Sequence, residues 1–179
     1  KPAGILENSE VQTPIDLVAY CARVSNPTNQ MNSATSEKLI NYLMKHRHWS
    51  PLEMVDVTME IETTRDIARQ MLRHRSFSFQ EFSQRYSDVS SLGDMFEYSE
   101  ARMQDPKNRQ NSLPLEDQAT KEWWEEYQKN IIEYCNMVYK QAMIRGIAKE
   151  VARKVLPEGL TKSRLYMKGS LRSWIHYLE

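Results

Sequence analysis

The residues best suited to chemistry lie in one short segment, residues 73–86, which reads RHRSFSFQEFSQRY. Between residues 65 and 85 the chain carries five arginines but only two acidic residues, Asp66 and Glu81, although the whole chain balances 24 basic against 24 acidic residues. The planar guanidinium group of arginine binds phosphate and carboxylate groups through paired hydrogen bonds. This arginine-rich segment therefore predicts an anion site for a phosphorylated small molecule.

The composition argues against several other kinds of protein. A net charge of zero disfavours a general binder of nucleic acids or membrane surfaces, which usually carries a basic excess. The five glycines are isolated, so the chain can form neither a P-loop nor a G-x-G-x-x-G motif. No apolar run approaches the roughly 18 residues of a membrane span. Cys21 and Cys135 fit no metal or redox spacing, which predicts packing roles, no metal site and a cytoplasmic location.

The pattern of apolar residues predicts one α+β domain over residues 1–179. Apolar and polar residues alternate from Met54 to Glu62, which indicates a strand with Val55, Val57, Met59 and Ile61 on its buried face. The final helical pattern has no cap, so we expect the domain to be incomplete at its C-terminal end.

Helices, one further extended piece and a long excursion complete the predicted elements. Helices are expected from Thr13-Pro14 to Asn26, from Ser36 to His46, from Thr63 or Thr64 to the arginine-rich segment, from Glu116 to Arg145, from Ile147 to Leu156, and from a Ser170 cap onwards. In the third of these helices Ile67, Ala68, Met71 and Leu72 are expected to face inward. The extended piece covers residues 164–167. The polar stretch 87–113 is a candidate mobile lid.

Local physics leaves two interpretations of the basic residues open. Arg73, His74 and Arg75 are consecutive, so their side chains point in different directions and can each address a different ligand group. Alternatively, they only complement the dipole at a helix C-terminus. Glu81 is either a counter-ion or an acceptor for a ligand hydroxyl or amide.

Arg65 and Arg69 lie one helical turn apart. For these two residues the favoured interpretation is a solvated basic face that pairs with Asp66 and Glu62.

Taken whole, the arginine-rich segment resembles the signature of the flavin-dependent thymidylate synthases, R-H-R-x-x-S-x-x-E-x-S-x-R-Y in outline. Gln80 stands where that family usually has Asn. Three further segments are similar to family motifs in the same order: HRHWSPLE at residues 46–53, IAKEVARKVLP at residues 147–157 and SLRSW at residues 170–174. The resemblance covers nearly the whole chain and leaves residues 87–113 weakly constrained.

The resemblance implies a fold and a reaction. The fold is an antiparallel or mixed sheet flanked by helices, one of them long. The reaction is methylation of dUMP to dTMP, with methylenetetrahydrofolate giving the carbon and NADPH reducing a bound FAD. The family further implies a homotetramer with sites where subunits meet. Neither cysteine is a plausible nucleophile, which fits the flavin route.

The resemblance also implies which residues bind each ligand. Candidate dUMP ligands are Gln70, Arg73, Glu81, Phe82, Ser83, Gln84, Arg85 and Arg153, with Arg85 as a phosphate clamp and backbone donors at 82–84. Candidate FAD ligands are Ser50, Arg73, His74, Arg75, Glu81, Ser170, Leu171, Arg172 and His176. The alternative role of Arg153 is a surface salt bridge to Glu150.

Two residues are candidates for catalysis. Ser83 lacks an evident base beside it, so it is interpreted as a hydrogen-bonding residue. His48 matches a position near the flavin and folate, with a structural role as its alternative. The arginine that activates dUMP in the family is expected just beyond Glu179.

Other functions remain open at this point. One is a nucleic-acid-binding α+β domain that stacks bases on Phe77, Phe79 and Phe82. Zero net charge and the interleaved Glu81 and Ser83 weigh against it. The other is a flavoprotein reductase without methyl transfer. The expected partners are therefore dUMP and folate, with no nucleic acid and no membrane.

Overall fold

A computed structural model describes residues 11–86 and 94–179 and confirms the α+β class. The helices are α1 (Pro14–Ala22), α2 (Ser36–Lys45), α3 (Arg65–Met71), α4 (Gln118–Ile144), α5 (Lys149–Ala152) and α6 (Leu171–Leu178). The strands are β1 (Asp56–Thr64), β2 (Ser78–Glu81), β3 (Arg102–Gln104), β4 (Ser112–Pro114) and β5 (Lys162–Ser170). One sheet has the strand order β1-β5-β2, and β3 pairs with β4 in antiparallel register.

The chain divides into two compact units. The first comprises residues 1–60, 74–79 and 166–179, and the second comprises residues 61–73 and 80–165. The single catalytic domain over 1–179 stays a prediction.

Local capping explains where two helices of the first unit begin. Thr13 Oγ1 accepts from the amide of Asp16 at 3.1 Å, and the Thr13 amide donates to the Asp16 carboxylate at 3.1 Å, which forms a capping box before α1. Ser170 caps α6 as predicted, because its hydroxyl accepts from the Ser173 amide at 3.2 Å. The core of this unit joins α1, α2 and a 3-10 turn (Ser50–Met54) through Val18, Leu43, Leu52 and Val55.

An aromatic cluster in the first unit holds residues 74–79 against α6. The Phe77 ring lies 4.9 Å from the Trp174 ring and 5.7 Å from the Tyr177 ring, centroid to centroid, in edge-to-face arrangements. Trp174 Nε1 donates to the carbonyl of Val57 at 3.1 Å. Gly169 makes this packing possible, since a Cβ at that position would lie 2.4 Å from the Phe77 ring.

The second unit is built around α4, whose predicted bounds are nearly right. Asp117 caps it by accepting from the Thr120 amide at 2.9 Å, and Gly146 follows its end with a φ of 76°. The core of this unit contains Met95, Phe96, Ile132, Tyr139 and Ala152.

The predicted buried face of the first strand is partly wrong. The strand runs two residues later than expected, and Met59 is 46% exposed while Val57 and Ile61 are only half-buried. Ile67 in α3 and Leu72 directly after the helix are likewise exposed, so the prediction that both face inward is wrong.

Three other predicted elements differ in length. Helix α1 ends at Ala22 rather than at Asn26. The extended piece at 164–167 is the nine-residue strand β5, and the helix expected from Ile147 to Leu156 is α5 followed by a 3-10 turn (Arg153–Val155). Part of the candidate lid, residues 87–93, lies outside the described residues; its remainder includes the β3–β4 hairpin, and lid motion stays a prediction. Among residues 11–86 and 94–179, no helix has the length and apolar character needed to cross a membrane.

Candidate functional site

A cationic cavity of about 190 Å³ lies in the second unit. Its lining contains four basic side chains and one carboxylate among the residues that the structure describes, together with an amide and one aliphatic side chain. The lining residues are Arg65, Arg69, Gln84, Arg153, Lys154, Leu156 and Glu158. Such a concentration of positive charge around a small cavity suits an anion.

Two structural elements bring these charges together. Arg65 and Arg69 lie one turn apart on α3, while Arg153 and Lys154 lie on the 3-10 turn after α5. The amide of Arg65 donates to the Thr161 carbonyl at 3.0 Å, and the Thr161 hydroxyl donates to the Pro157 carbonyl at 2.6 Å. These bonds tie the start of α3 to the chain between residues 157 and 161.

Arg65 is the most buried cation of the cavity. Its side chain is 11% exposed, and its guanidinium lies 3.7 Å from the Glu81 carboxylate and 3.9 Å from the Glu158 carboxylate. Burial lowers the pKa of Arg65 from its ordinary value, and the charge of Glu81 opposes that shift. Glu81 also accepts from the Ser163 hydroxyl at 2.9 Å, so the structure fixes this carboxylate from two sides.

The expected partners of the α3 arginines are wrong. Arg69 pairs with Glu158, and Arg65 with Glu158 and Glu81, rather than with Asp66 and Glu62. Glu62 instead accepts from Arg164 at 2.5 Å. Helical spacing indicates only partners that are close in sequence, whereas the observed partners come from distant parts of the chain.

Gln84 carries an unusual feature of the cavity. Its side chain is 3% exposed, and Nε2 has no hydrogen-bond acceptor among residues 11–86 and 94–179. A buried donor without a partner costs about 1–3 kcal/mol. This amide is therefore a candidate hydrogen-bond donor to a ligand.

Of the other dUMP candidates that the structure describes, only Arg153 lines this cavity. The Arg85 guanidinium lies 3.4 Å from the Glu150 carboxylate, and Arg153 Nε donates to the Glu150 carbonyl at 3.4 Å. Instead of the expected alternative, a salt bridge to the Glu150 carboxylate, Arg153 thus contacts the Glu150 backbone. The amide of Phe82 donates to the Arg164 carbonyl at 2.8 Å, so this predicted backbone donor is already in use.

Ser83, Gln70 and Arg73 complete this group. The Ser83 hydroxyl accepts from the Arg85 amide at 3.4 Å. Gln70 lies in the last turn of α3 and Arg73 lies two residues after its end; both are exposed, and Arg73 has no acidic partner in the described part of the chain. The catalytic assignment of Ser83 stays a prediction.

Most FAD candidates lie in the first unit. The His74 ring packs edge-to-face on Tyr177 with 4.9 Å between centroids. Arg75 is exposed and pairs with no carboxylate among the described residues. Ser50 is exposed at the start of its 3-10 turn. These side chains are available to a ligand.

Four FAD candidates on or before α6 already make contacts within the chain. Ser170 caps the helix, and the Leu171 amide donates to the Val55 carbonyl at 2.8 Å. Arg172 donates to the Glu53 carboxylate, and the His176 ring lies 4.5 Å from the Trp49 ring. These contacts anchor α6, so a ligand would have to share or replace them.

His48 belongs to a small group of exposed rings. Its ring centroid lies 6.0 Å from that of Tyr42 and 6.2 Å from that of His46. Between the two histidines, Arg47 adopts a φ of 57°, a conformation that is uncommon outside glycine and often found at functional sites. The backbone thus turns both imidazoles toward the Tyr42 side chain.

Comparison with known proteins decides the family. The model of the thymidylate synthase complementing protein family, Thy1, matches residues 8–179. This chain belongs to the Thy1 family.

Two Thy1 relatives illustrate the match. A flavin-dependent thymidylate synthase of Synechocystis is 52% identical over 179 residues, which cover 100% of this chain and 80% of that protein. A probable flavin-dependent thymidylate synthase of Paramecium bursaria Chlorella virus 1 is 47% identical over 94% of this chain and 76% of its own length. Among solved structures, a UMP/dUMP methylase, PolB from Streptomyces cacaoi bound with 5-Br dUMP, matches with a TM-score of 0.76 and 29% identity, covering 92% of this chain and 71% of that one.

In this Thy1 chain the candidate residues sort between the two units. Every candidate dUMP ligand lies in the second unit, whereas all candidate FAD ligands except Arg73 and Glu81 lie in the first. The sequence assigned Gln84 only a backbone role, and sequence reasoning missed that Gln84, Lys154 and Glu158 line the cavity. Lys154 lies inside the matched segment 147–157 and Glu158 directly follows it, and that position is the available signal.

Proposed function

We propose that this protein is a flavin-dependent thymidylate synthase that methylates dUMP to dTMP. Methylenetetrahydrofolate supplies the carbon, and NADPH supplies reducing equivalents through FAD. The observation that carries the proposal is the cationic cavity of a Thy1 chain. There Arg153 and the Gln84 amide nitrogen, which has no acceptor among the described residues, meet two further arginines.

The cavity suits the phosphate end of dUMP. Its lining carries four positive charges against one negative charge, which favours a dianion. A volume of about 190 Å³ is below the roughly 300–1,000 Å³ of pockets that enclose a whole small molecule. We therefore place the phosphate there, with Arg153 and Gln84 as donors, and the uracil beyond the cavity.

Glu81 is suited to orient the rest of the nucleotide. The Arg65 guanidinium and the Ser163 hydroxyl hold its carboxylate, and the side chain remains 23% exposed. A fixed carboxylate accepts hydrogen bonds from a ligand hydroxyl or amide without reorganising. In this role Glu81 positions dUMP, and Ser83 adds a further hydrogen bond.

The first unit fits FAD in part. His74 and Arg75 offer exposed hydrogen-bond donors with no carboxylate partner in the described ranges, and the guanidinium of Arg75 suits a diphosphate. The Ser50 hydroxyl can donate a hydrogen bond to the same ligand. Ser170, Arg172 and His176 would have to replace their present contacts within the chain by contacts to FAD. When bound, the flavin supplies hydride transfer, and the residues of this chain bind it and fix its orientation.

A homotetramer with shared sites fits the surface of α4. Trp123, Tyr127, Ile131, Tyr134 and Met137 follow one another at intervals of three or four residues, and each is between 49% and 66% exposed. Such a continuous apolar face is typical of a protein interface. We propose that another copy of this chain covers it.

The experiment uses purified protein with FAD, NADPH, dUMP and methylenetetrahydrofolate. We expect a yellow protein and dTMP as the product, identified by mass spectrometry. NADPH oxidation without dTMP would favour the reductase alternative, and a colourless protein that does not take up FAD would refute the proposal. The nucleic-acid alternative has less support, because Phe77, one of its three stacking residues, is buried against Trp174.

A further inference from the structure

Glu158 occupies a distinctive place in the cationic cavity. Among the described residues that line the cavity, it provides the one carboxylate. One of its oxygens contacts Arg69 and lies 3.9 Å from Arg65 Nε. The same two guanidinium groups are available to an incoming phosphate, so Glu158 and a ligand use the same donors.

A carboxylate and a phosphate compete for these donors because both are oxyanions that bind guanidinium groups. If Glu158 stays in place when a phosphate enters, two like charges lie close together, which is unfavourable. If Glu158 leaves, the phosphate must replace its ion pairs. The Glu158 side chain is 43% exposed, so it can turn into solvent.

We propose that Glu158 is an internal competitor anion, which neutralises Arg65 and Arg69 in the free protein and weakens phosphate binding. This inference rests on the proposed function, because it assigns the phosphate of dUMP to the same cavity. A ligand with additional contacts, such as those to uracil and deoxyribose, overcomes the competition. A small anion with no other contacts overcomes it less readily.

Two other roles for Glu158, support of the fold and positioning of the arginines, can be distinguished from competition with phosphate. Arg69 is 60% exposed, and exposed ion pairs of this kind contribute little to the stability of a fold. Removal of the Glu158 charge therefore leaves the fold intact. If Glu158 instead positions the arginines for the ligand, removal of its charge weakens phosphate binding.

The test compares wild-type protein with Glu158→Gln by calorimetric titration of dUMP, deoxyuridine and inorganic phosphate. In the variant we expect the Kd for dUMP and for phosphate to fall about 2- to 5-fold, the factor that corresponds to a half-exposed ion pair. The gain should shrink in high salt, and the Kd for deoxyuridine, which has no phosphate, should not change. Glu62→Gln is the matched control, because Glu62 pairs with Arg164 outside the cavity lining.

The outcomes separate this inference from the proposed function. An unchanged or raised Kd for phosphate and dUMP in Glu158→Gln overturns the inference, even if the wild type makes dTMP. Tighter phosphate binding in the variant, with no preference for dUMP over phosphate in either protein, supports the competitor and refutes the proposed function. Equal gains for deoxyuridine and dUMP also overturn the inference, since the effect then does not act on phosphate.

Discussion

Replacement of Gly169 by alanine tests how the fold holds residues 74–79. The added Cβ would lie 2.4 Å and 2.5 Å from two carbons of the Phe77 ring, below the 3.0 Å that real Cβ contacts respect. Both residues are buried, so the ring cannot simply move into solvent. We expect overpacking of this kind to lower the free energy of unfolding by about 1–3 kcal/mol. In a chain of this size each kcal/mol lowers Tm by about 2–4 °C.

The same substitution should weaken FAD binding. Phe77 packs on Tyr177, and the Tyr177 ring lies 4.9 Å from the His74 ring, so a displaced Phe77 disturbs the basic residues beside it. Urea unfolding followed by tryptophan fluorescence measures the stability. Titration with FAD, followed by quenching of flavin fluorescence, measures the affinity.

Two further variants provide a control and a rescue for this prediction. Gly159→Ala is the control, because its Cβ would meet only Asp66 atoms at 3.9 Å. Phe77→Leu in the Gly169→Ala background should recover part of the lost stability, since it removes the ring that clashes. A Gly169→Ala protein as stable as Gly159→Ala, or strictly additive effects of the two changes, would refute the reasoning.

Three other predictions concern binding, pH and assembly. Arg153→Ala should raise the Kd for dUMP about 10- to 100-fold and leave FAD binding unchanged in titrations, with the exposed Arg145→Ala as control; equal losses for both ligands would contradict its role. The hydrogen bond from Thr13 lowers the pKa of Asp16, so its stabilisation is present above about pH 4 and is lost as the pH falls through the folded-state pKa. Urea midpoints of wild type and Asp16→Asn should therefore converge in acid, and a constant difference would contradict the assignment. Ile131→Glu, on the exposed face of α4, should yield a smaller species in light scattering, and an unchanged mass would exclude this face as an interface.

Elements that depend on local chemistry were predicted well from sequence. The start of α1 at Thr13-Pro14, the Ser170 cap and the end of α4 near Arg145 each depend on residues within about one turn, so neighbouring residues suffice to recognise them. The α+β class followed from the same kind of pattern.

The strand β5 was predicted too short for an identifiable reason. Its buried positions are Ser163, Leu165, Met167 and Gly169, which alternate regularly with more exposed residues. The outer two of these are small or polar, so the apolar signal covers only the middle of the strand. Both have tertiary partners that explain them: Ser163 donates to Glu81, and Gly169 leaves room for Phe77.

The charges of the site were visible in the sequence, but their partners were not. Arg65 pairs with Glu81 and Glu158, which lie 16 and 93 positions further along the chain. Helical spacing can only propose neighbours such as Asp66. Exposure was also unpredictable for α4, because an apolar stripe looks the same whether it faces a core or another protein.

The most direct test of the central claim is the fate of labelled carbon. Purified protein is supplied with FAD, NADPH, dUMP and methylenetetrahydrofolate that carries ¹³C in its methylene group, and the nucleotides are analysed by mass spectrometry. We predict dTMP with the label in its new methyl group, formed only when all four components are present. Unlabelled dUMP recovered intact while NADPH is consumed would contradict the proposed methyl transfer.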